Sequence, residues 1–215
     1  MTRDSGPLFR LLSAPARYLG IYLLFVALAL TFIQREFLAS RHWTPVGRNP
    51  VQWPSVMLLG PAGWILGASL VIAAAVLMLA GFYLVTWQST AVRIAGASLA
   101  LVGAAVALQA IPPADGTQSG LKWLHDAAYP LIPVGWLIAA ILLTVTWWSV
   151  PEGRLLARGT LVLIPLFVVA VLGVMHDSVA QASRYGIFLI ELIWFQLVAR
   201  TLDTMQPEGD SGGRQ

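Results

Sequence analysis

Cysteine is absent from the 215 residues, which excludes disulfides, thiolate nucleophiles, cysteine-ligated metals and iron–sulfur clusters. Charge is scarce as well. Asp, Glu, Lys and Arg together make up 11% of the chain, against about a quarter in a soluble domain. Lys and Arg are scattered singly, so the formal charge of +3 does not mark a nucleic-acid surface. No nucleic-acid partner is expected. No lysine stands in the middle of an apolar run, which disfavours a retinal Schiff base. The chain also has no GxSxG elbow and no HExxH helix motif, so neither a serine-hydrolase signature nor a specific zinc motif is present.

What is abundant is apolar sequence, at 58% of residues. Six stretches are long enough to cross a hydrocarbon layer, which takes about 20 apolar residues. They run near Tyr18–Leu38, Pro61–Val85, Ala91–Ile111, Ala127–Trp148, Leu155–Val174 and Tyr185–Leu202. The expectation is an all-α integral membrane protein, a six-transmembrane-helix bundle over 18–202. Residues 1–17, with Arg3, Arg10 and Arg17 among leucines, are expected to form a cytoplasmic or interfacial segment. The Gly-, Ser- and acid-rich residues 203–215 are expected to be a disordered tail. The first stretch runs straight into Gln34-Arg35-Glu36 without a small-residue cleavage site, and reads as a retained anchor.

Proline and glycine punctuate this pattern. Pro112-Pro113 stops the third span, Pro130, Pro133 and Pro165 predict kinks, and Gly63 and Gly67 have the GxxxG spacing that permits close helix contact. Tryptophan favours the headgroup level. Trp43, Trp53, Trp64 and Trp123 fall at one predicted face and Trp87, Trp147 and Trp148 at the other, leaving Trp136 and Trp194 deeper.

Six crossings place the first, third and fifth connections on one side, here called the odd face. All three histidines, His42, His125 and His176, fall there, with Asp115, Asp126, Asp177 and Arg184. The termini and the other connections carry eight basic residues, Arg3, Arg10, Arg17, Arg93, Arg154, Arg158, Arg200 and Arg214. The odd face carries five, Arg35, Arg41, Arg48, Lys122 and Arg184. This bias predicts cytoplasmic termini and an extracytoplasmic odd face.

The His-Asp dipeptide occurs twice, at His125-Asp126 and His176-Asp177. Imidazole and carboxylate are suitable zinc ligands. A metal-dependent lipid hydrolase would use His42, His125 and His176 as ligands, with Asp126 or Asp177 orienting them or acting as base. Adjacent helical residues point about 100° apart, however, so neither dipeptide chelates as a unit. Asp126 is better read as a helix cap and Asp115, in Pro-Pro-Ala-Asp-Gly-Thr, as a turn residue. Ser119, Ser178 and Ser183 share the face without a nucleophile motif. No cofactor is expected, zinc being the alternative.

Glu191 is the unusual residue, an acid two turns inside an apolar stretch. Such a group must be neutral, paired or facing a hydrated cavity. Arg184, seven residues earlier, lies on nearly the same helical face but about 10 Å away along the axis. Both are candidates for ligand or proton binding.

The order of features resembles the bacterial membrane family called domain of unknown function number 998. The similarity covers most of the chain. It lies in the polar first loop from Arg41-His42-Trp43 to Gly60-Pro61, in Ile111-Pro112-Pro113-Ala114-Asp115-Gly116, in the Gly-containing approach to His125, and in Arg184-Tyr185-Gly186. The resemblance implies a six-helix protein of a bacterial inner membrane and supplies no reaction. The leading expectation is a non-enzymatic protein that binds a lipid-like ligand or serves as accessory subunit of a larger membrane assembly. The alternatives are the metal-dependent hydrolase and a proton-coupled transporter using Glu191.

Overall fold

The structure, a computed structural model, describes residues 7–42, 54–112, 121–176 and 179–205. Every regular element among them is helical: α1 (Pro7–Ile33), α2 (Arg35–Ser40), α3 (Gly63–Val85), α4 (Thr90–Gln109), α5 (Lys122–Ala128), α6 (Leu131–Trp147), α7 (Arg154–Val174) and α8 (Ala180–Thr204), with short 3-10 turns at Pro54–Leu59 and Pro151–Gly153. Five runs are long and apolar enough to cross a membrane, Gly63–Val85, Thr90–Gln109, Trp123–Trp147, Pro151–Val174 and Ala182–Thr204. A shorter apolar run, Tyr18–Ile33, belongs to α1. The chain is an all-α integral membrane bundle in which this sixth run is the least typical span.

Several boundaries differ from the sequence expectation. α1 starts at Pro7 and continues without a break past residue 17, so the N-terminal segment and the first span share one helix. That span is interrupted at Gln34, where α2 begins. The backbone hydrogen bonds Gln34 N to Leu30 O and Leu38 N to Gln34 O, both 2.9 Å, carry the chain through the break. α8 extends to Thr204, two residues into the expected tail. Pro130 separates α5 from α6, as a residue lacking an N–H donor does, whereas Pro165 lies inside an unbroken α7.

The spans pack in chain order around a ring: α1 on α3, α3 on α4, α4 on α6, α6 on α7, α7 on α8, and α8 back on α1. Short connections such as residues 86–89 make neighbours antiparallel. In lipid, close packing of small residues supplies much of the helix association. A Cβ on Gly81 would lie 2.5 Å from both Ala100 N and Gly96 O, and one on Gly96 would lie 2.6 Å from Gly81 O. α3 and α4 therefore touch backbone to backbone. Gly20 closes the ring in the same way, its Cβ position being 2.9 Å from the carbonyl oxygen of Leu192. Of the GxxxG pair, Gly63 meets the carbonyls of Met57 and Leu58 in the preceding turn, and Gly67 has only ordinary contacts. The close helix contact is made elsewhere.

The interior holds two apolar clusters. The larger includes Leu84, Leu99, Leu143, Leu156, Trp136 and Trp194. The smaller gathers Val26, Leu30, Leu38, Met57, Leu58 and Leu66 near the odd face, with Tyr185 packed against it. Outward residues such as Phe25, Phe32, Ile72, Val145 and Val169 are exposed, as lipid-facing side chains are.

Tryptophan positions follow the two-belt expectation in part. Trp64, Trp123 and Trp148 are exposed, while Trp43 and Trp53 lie outside the described residues. Trp147 is instead buried, its ring 5.6 Å from that of Trp87 and its Cβ 2.5 Å from the Cβ position of Gly153. Adjacent residues on a helix face different surroundings, so Trp148 takes the interface and Trp147 the core.

Candidate functional site

The odd-face residues divide by role. His42 ends α2 with φ of 55°, its amide donating to Ala39 O at 2.9 Å. This is the left-handed residue that closes a helix, a place usually taken by glycine. Its side chain is exposed, as is that of His176 beyond α7. His125 is only 6% exposed, with Nδ1 2.7 Å from Ile111 O. Gln109 Nε2 donates to His125 O, also at 2.7 Å. Together they fasten the C-terminal end of α4 to α5. A carbonyl at a helix end needs a donor, and His125 meets that need.

Among the described residues, no group of three His, Cys, Asp or Glu side chains could hold a metal ion. His42, His125 and His176 are therefore not gathered into one shell. Asp126 lies inside α5 and is exposed; the N-cap position of that helix is Leu121, without a side-chain cap bond. The capping expectation for Asp126 fails because α5 begins before it. Ser89 does cap α4, accepting from Val92 N at 3.5 Å, a role readable from its place before an apolar run. Asp115, Ser119, Asp177 and Ser178 lie outside the described residues.

Glu191 and Arg184 occupy one inward-facing stripe of α8. At 100° per residue, Glu191 points about 180° from the midpoint between Leu189 and Ile193, and both of those are exposed to the lipid side. Glu191 is 6% exposed, and its Oε1 has no hydrogen-bond partner. Arg184 is half-buried. Tyr129, at the turn between α5 and α6, is within electrostatic reach of both Glu191 and Arg184. The ring thus presents an acid, a base and a phenol toward its interior.

One turn beyond Glu191, aromatic side chains fill the bundle. Trp136 lies 4.5 Å from Phe167 and 5.9 Å from Trp194, measured between ring centres. Trp194 Nε1 donates to Thr160 Oγ1 at 3.0 Å, and that hydroxyl donates to Leu156 O at 2.8 Å. The indole N–H of Trp136 is buried without an acceptor. These rings, drawn from α6, α7 and α8, form a floor beneath Glu191.

At the opposite face, Pro151, Glu152, Leu155, Arg200, Thr201 and Thr204 line an open cleft of about 410 Å³. It brings together residues of both signs, Glu152 and Arg200, both exposed, and the sequence reading did not single it out. Comparison of the chain with protein-family models, curated proteins and solved structures finds no match in any of the three.

Proposed function

We propose that this chain is a non-enzymatic multipass membrane protein that binds a lipid-like ligand in the odd-face half of its helix ring. The observation that carries the reading is the buried, inward-facing Oε1 of Glu191, which lacks a hydrogen-bond partner. A buried polar atom left unsatisfied costs about 1–3 kcal/mol, and a ligand that brings a donor recovers that cost on binding.

The other readings have less support. The dispersed histidines do not favour a metal-dependent hydrolase. A proton-coupled transporter would need a path past Glu191, where Trp136, Phe167 and Trp194 occupy the interior. An accessory subunit would use the outer surface, whose Leu, Ile, Val and Phe residues acyl chains solvate equally well. The arginine bias supports a cytoplasmic location for both termini, with the ligand entering from the extracytoplasmic side of a bacterial inner membrane. Kinship with domain of unknown function number 998 is part of the same proposal and rests on the loop residues quoted above.

Mass spectrometry of lipids extracted from protein purified in mild detergent tests the reading. The wild type is expected to retain a stoichiometric lipid-like ligand and Glu191→Gln to lose it. Retention by neither protein, or equally by both, contradicts it.

A further inference from the structure

Arg184, Glu191 and Val198 recur every seven residues, so they descend one stripe of α8 in steps of about 10 Å. A base stands toward the odd face, an acid below it and an apolar residue deepest. The six residues from Ser183 to Phe188 are all half-buried, whereas Ile190, Glu191, Leu192, Trp194, Phe195 and Val198 are buried. A ligand entering from the odd face therefore meets Arg184 before Glu191, and the aromatic floor stops it there.

We propose that this stripe recognises an ammonium–phosphate zwitterion, the head group of an aminophospholipid, with the ammonium on Glu191 and the phosphate toward Arg184. The inference rests on the ligand-binding reading above and names the ligand class for the same site. A primary ammonium carries three N–H donors and one positive charge, so it supplies both things a buried carboxylate lacks. A quaternary choline has the charge but no N–H donor. A glycerol head has hydroxyl donors but no positive charge to pair with the acid.

The anionic end suits the mouth of the stripe. A guanidinium presents five donors, enough to meet a phosphate alongside the contacts Arg184 already makes within the bundle. Its long stem can close part of the axial spacing to Glu191. Tyr129, in electrostatic reach of both charges, offers a hydroxyl on the facing helix turn. Charge-assisted hydrogen bonds are roughly twice as strong as neutral ones, so both ends of the zwitterion contribute to selectivity.

Native mass spectrometry of delipidated full-length protein tests this, using phosphatidylethanolamine, phosphatidylcholine and phosphatidylglycerol of identical acyl chains. Phosphatidylethanolamine is expected to bind about tenfold more tightly than either competitor, a difference of one charge-assisted bond. Glu191→Gln should erase that preference, and Tyr129→Phe, on another helix, should reduce it if the first variant does not fold. Arg184→Gln should weaken all three phospholipids alike.

Soluble phosphoethanolamine distinguishes the source. Displacement of the lipid by it assigns the affinity to the head group alone, and a preserved lipid preference without displacement assigns it to the whole aminophospholipid. A bound lipid that shows no ethanolamine preference but is lost on Glu191→Gln overturns the inference and leaves the ligand-binding reading standing, whereas an ethanolamine preference that survives Glu191→Gln overturns both. Binding of no lipid at all overturns both.

Discussion

Along the inward stripe of α8, Arg184 at the odd-face end is half-buried, while Val198, two heptads further in, is 3% exposed among apolar neighbours. The rest of the bundle repeats this contrast. Toward the even face, Gly81 lies backbone to backbone on α4 and Gly153 lies under Trp147. Toward the odd face, polar bonds recur: His125 to Ile111, Gln109 to His125, and Gln34 Nε2 to Met57 O at 3.2 Å. Backbone-to-backbone packing leaves little room to rearrange, whereas bonds from side chains to carbonyls near helix ends tolerate small shifts. The even half is closed by direct backbone contact between helices, whereas the helix ends of the odd half are joined through side chains.

The sharpest way to break this comparison is to separate α3 from α4. Gly81→Leu forces a side chain against Ala100 N and Gly96 O, both backbone atoms 2.5 Å from the Cβ position, and cannot be absorbed by a rotamer change. A loss of about 3 kcal/mol, at the upper end for overpacking, is expected in unfolding experiments in detergent. Retention of wild-type stability would show that the even half is not the tight half.

A smaller effect is expected at the odd face. His125→Ala removes the donor to Ile111 O and should cost about 1–2 kcal/mol. A double-mutant cycle with Gln109→Ala should show coupling, because the two side chains bridge the same pair of helix ends. Additive losses would mean that they act separately. The smallest change is a gain: His42→Gly relieves a positive φ and should stabilise by roughly 0.5–1 kcal/mol, with no effect on ligand retention. A loss of retained ligand would assign His42 a role that its exposed position does not suggest.

Much of the fold was legible in the sequence. Uncharged runs are a statement about solvent, and the bilayer leaves helices as the available solution for them, so the spans from Pro61 to Leu202 emerge within a few residues. The break at Gln34 was not legible, and neither was the long-range bond that its side chain makes to Met57 O. The division between Trp147 and Trp148 was hidden for a related reason, since it depends on which neighbour each indole meets.

The site was legible in two residues, Glu191 and Arg184. Glu191 stood out because an acid inside an apolar run is costly wherever it points, but its inward direction emerges only beside the exposed Leu189 and Ile193. Tyr129 was missed, as a phenol at a helix end carries no signal in a single sequence. His125 was noticed for metal chemistry. Its bond to Ile111 O gives it a structural place instead, and the helix-stopping Pro112-Pro113 beside that carbonyl was the available hint.

Because the chain contains no cysteine, thiol labelling in membranes measures the contrast between the halves directly. Arg184→Cys, Glu191→Cys and Val198→Cys place one thiol at each step of the inward stripe. With a membrane-impermeant reagent applied from the odd face, labelling is expected to be fastest at 184, slower but measurable at 191, and absent at 198 until the protein is denatured. Bound lipid should slow the reaction at 191. Reaction at 198 in the native protein, or a residue 191 as unreactive as 198, would contradict a stripe that is ligand-accessible from the odd face down to Glu191 and closed below it.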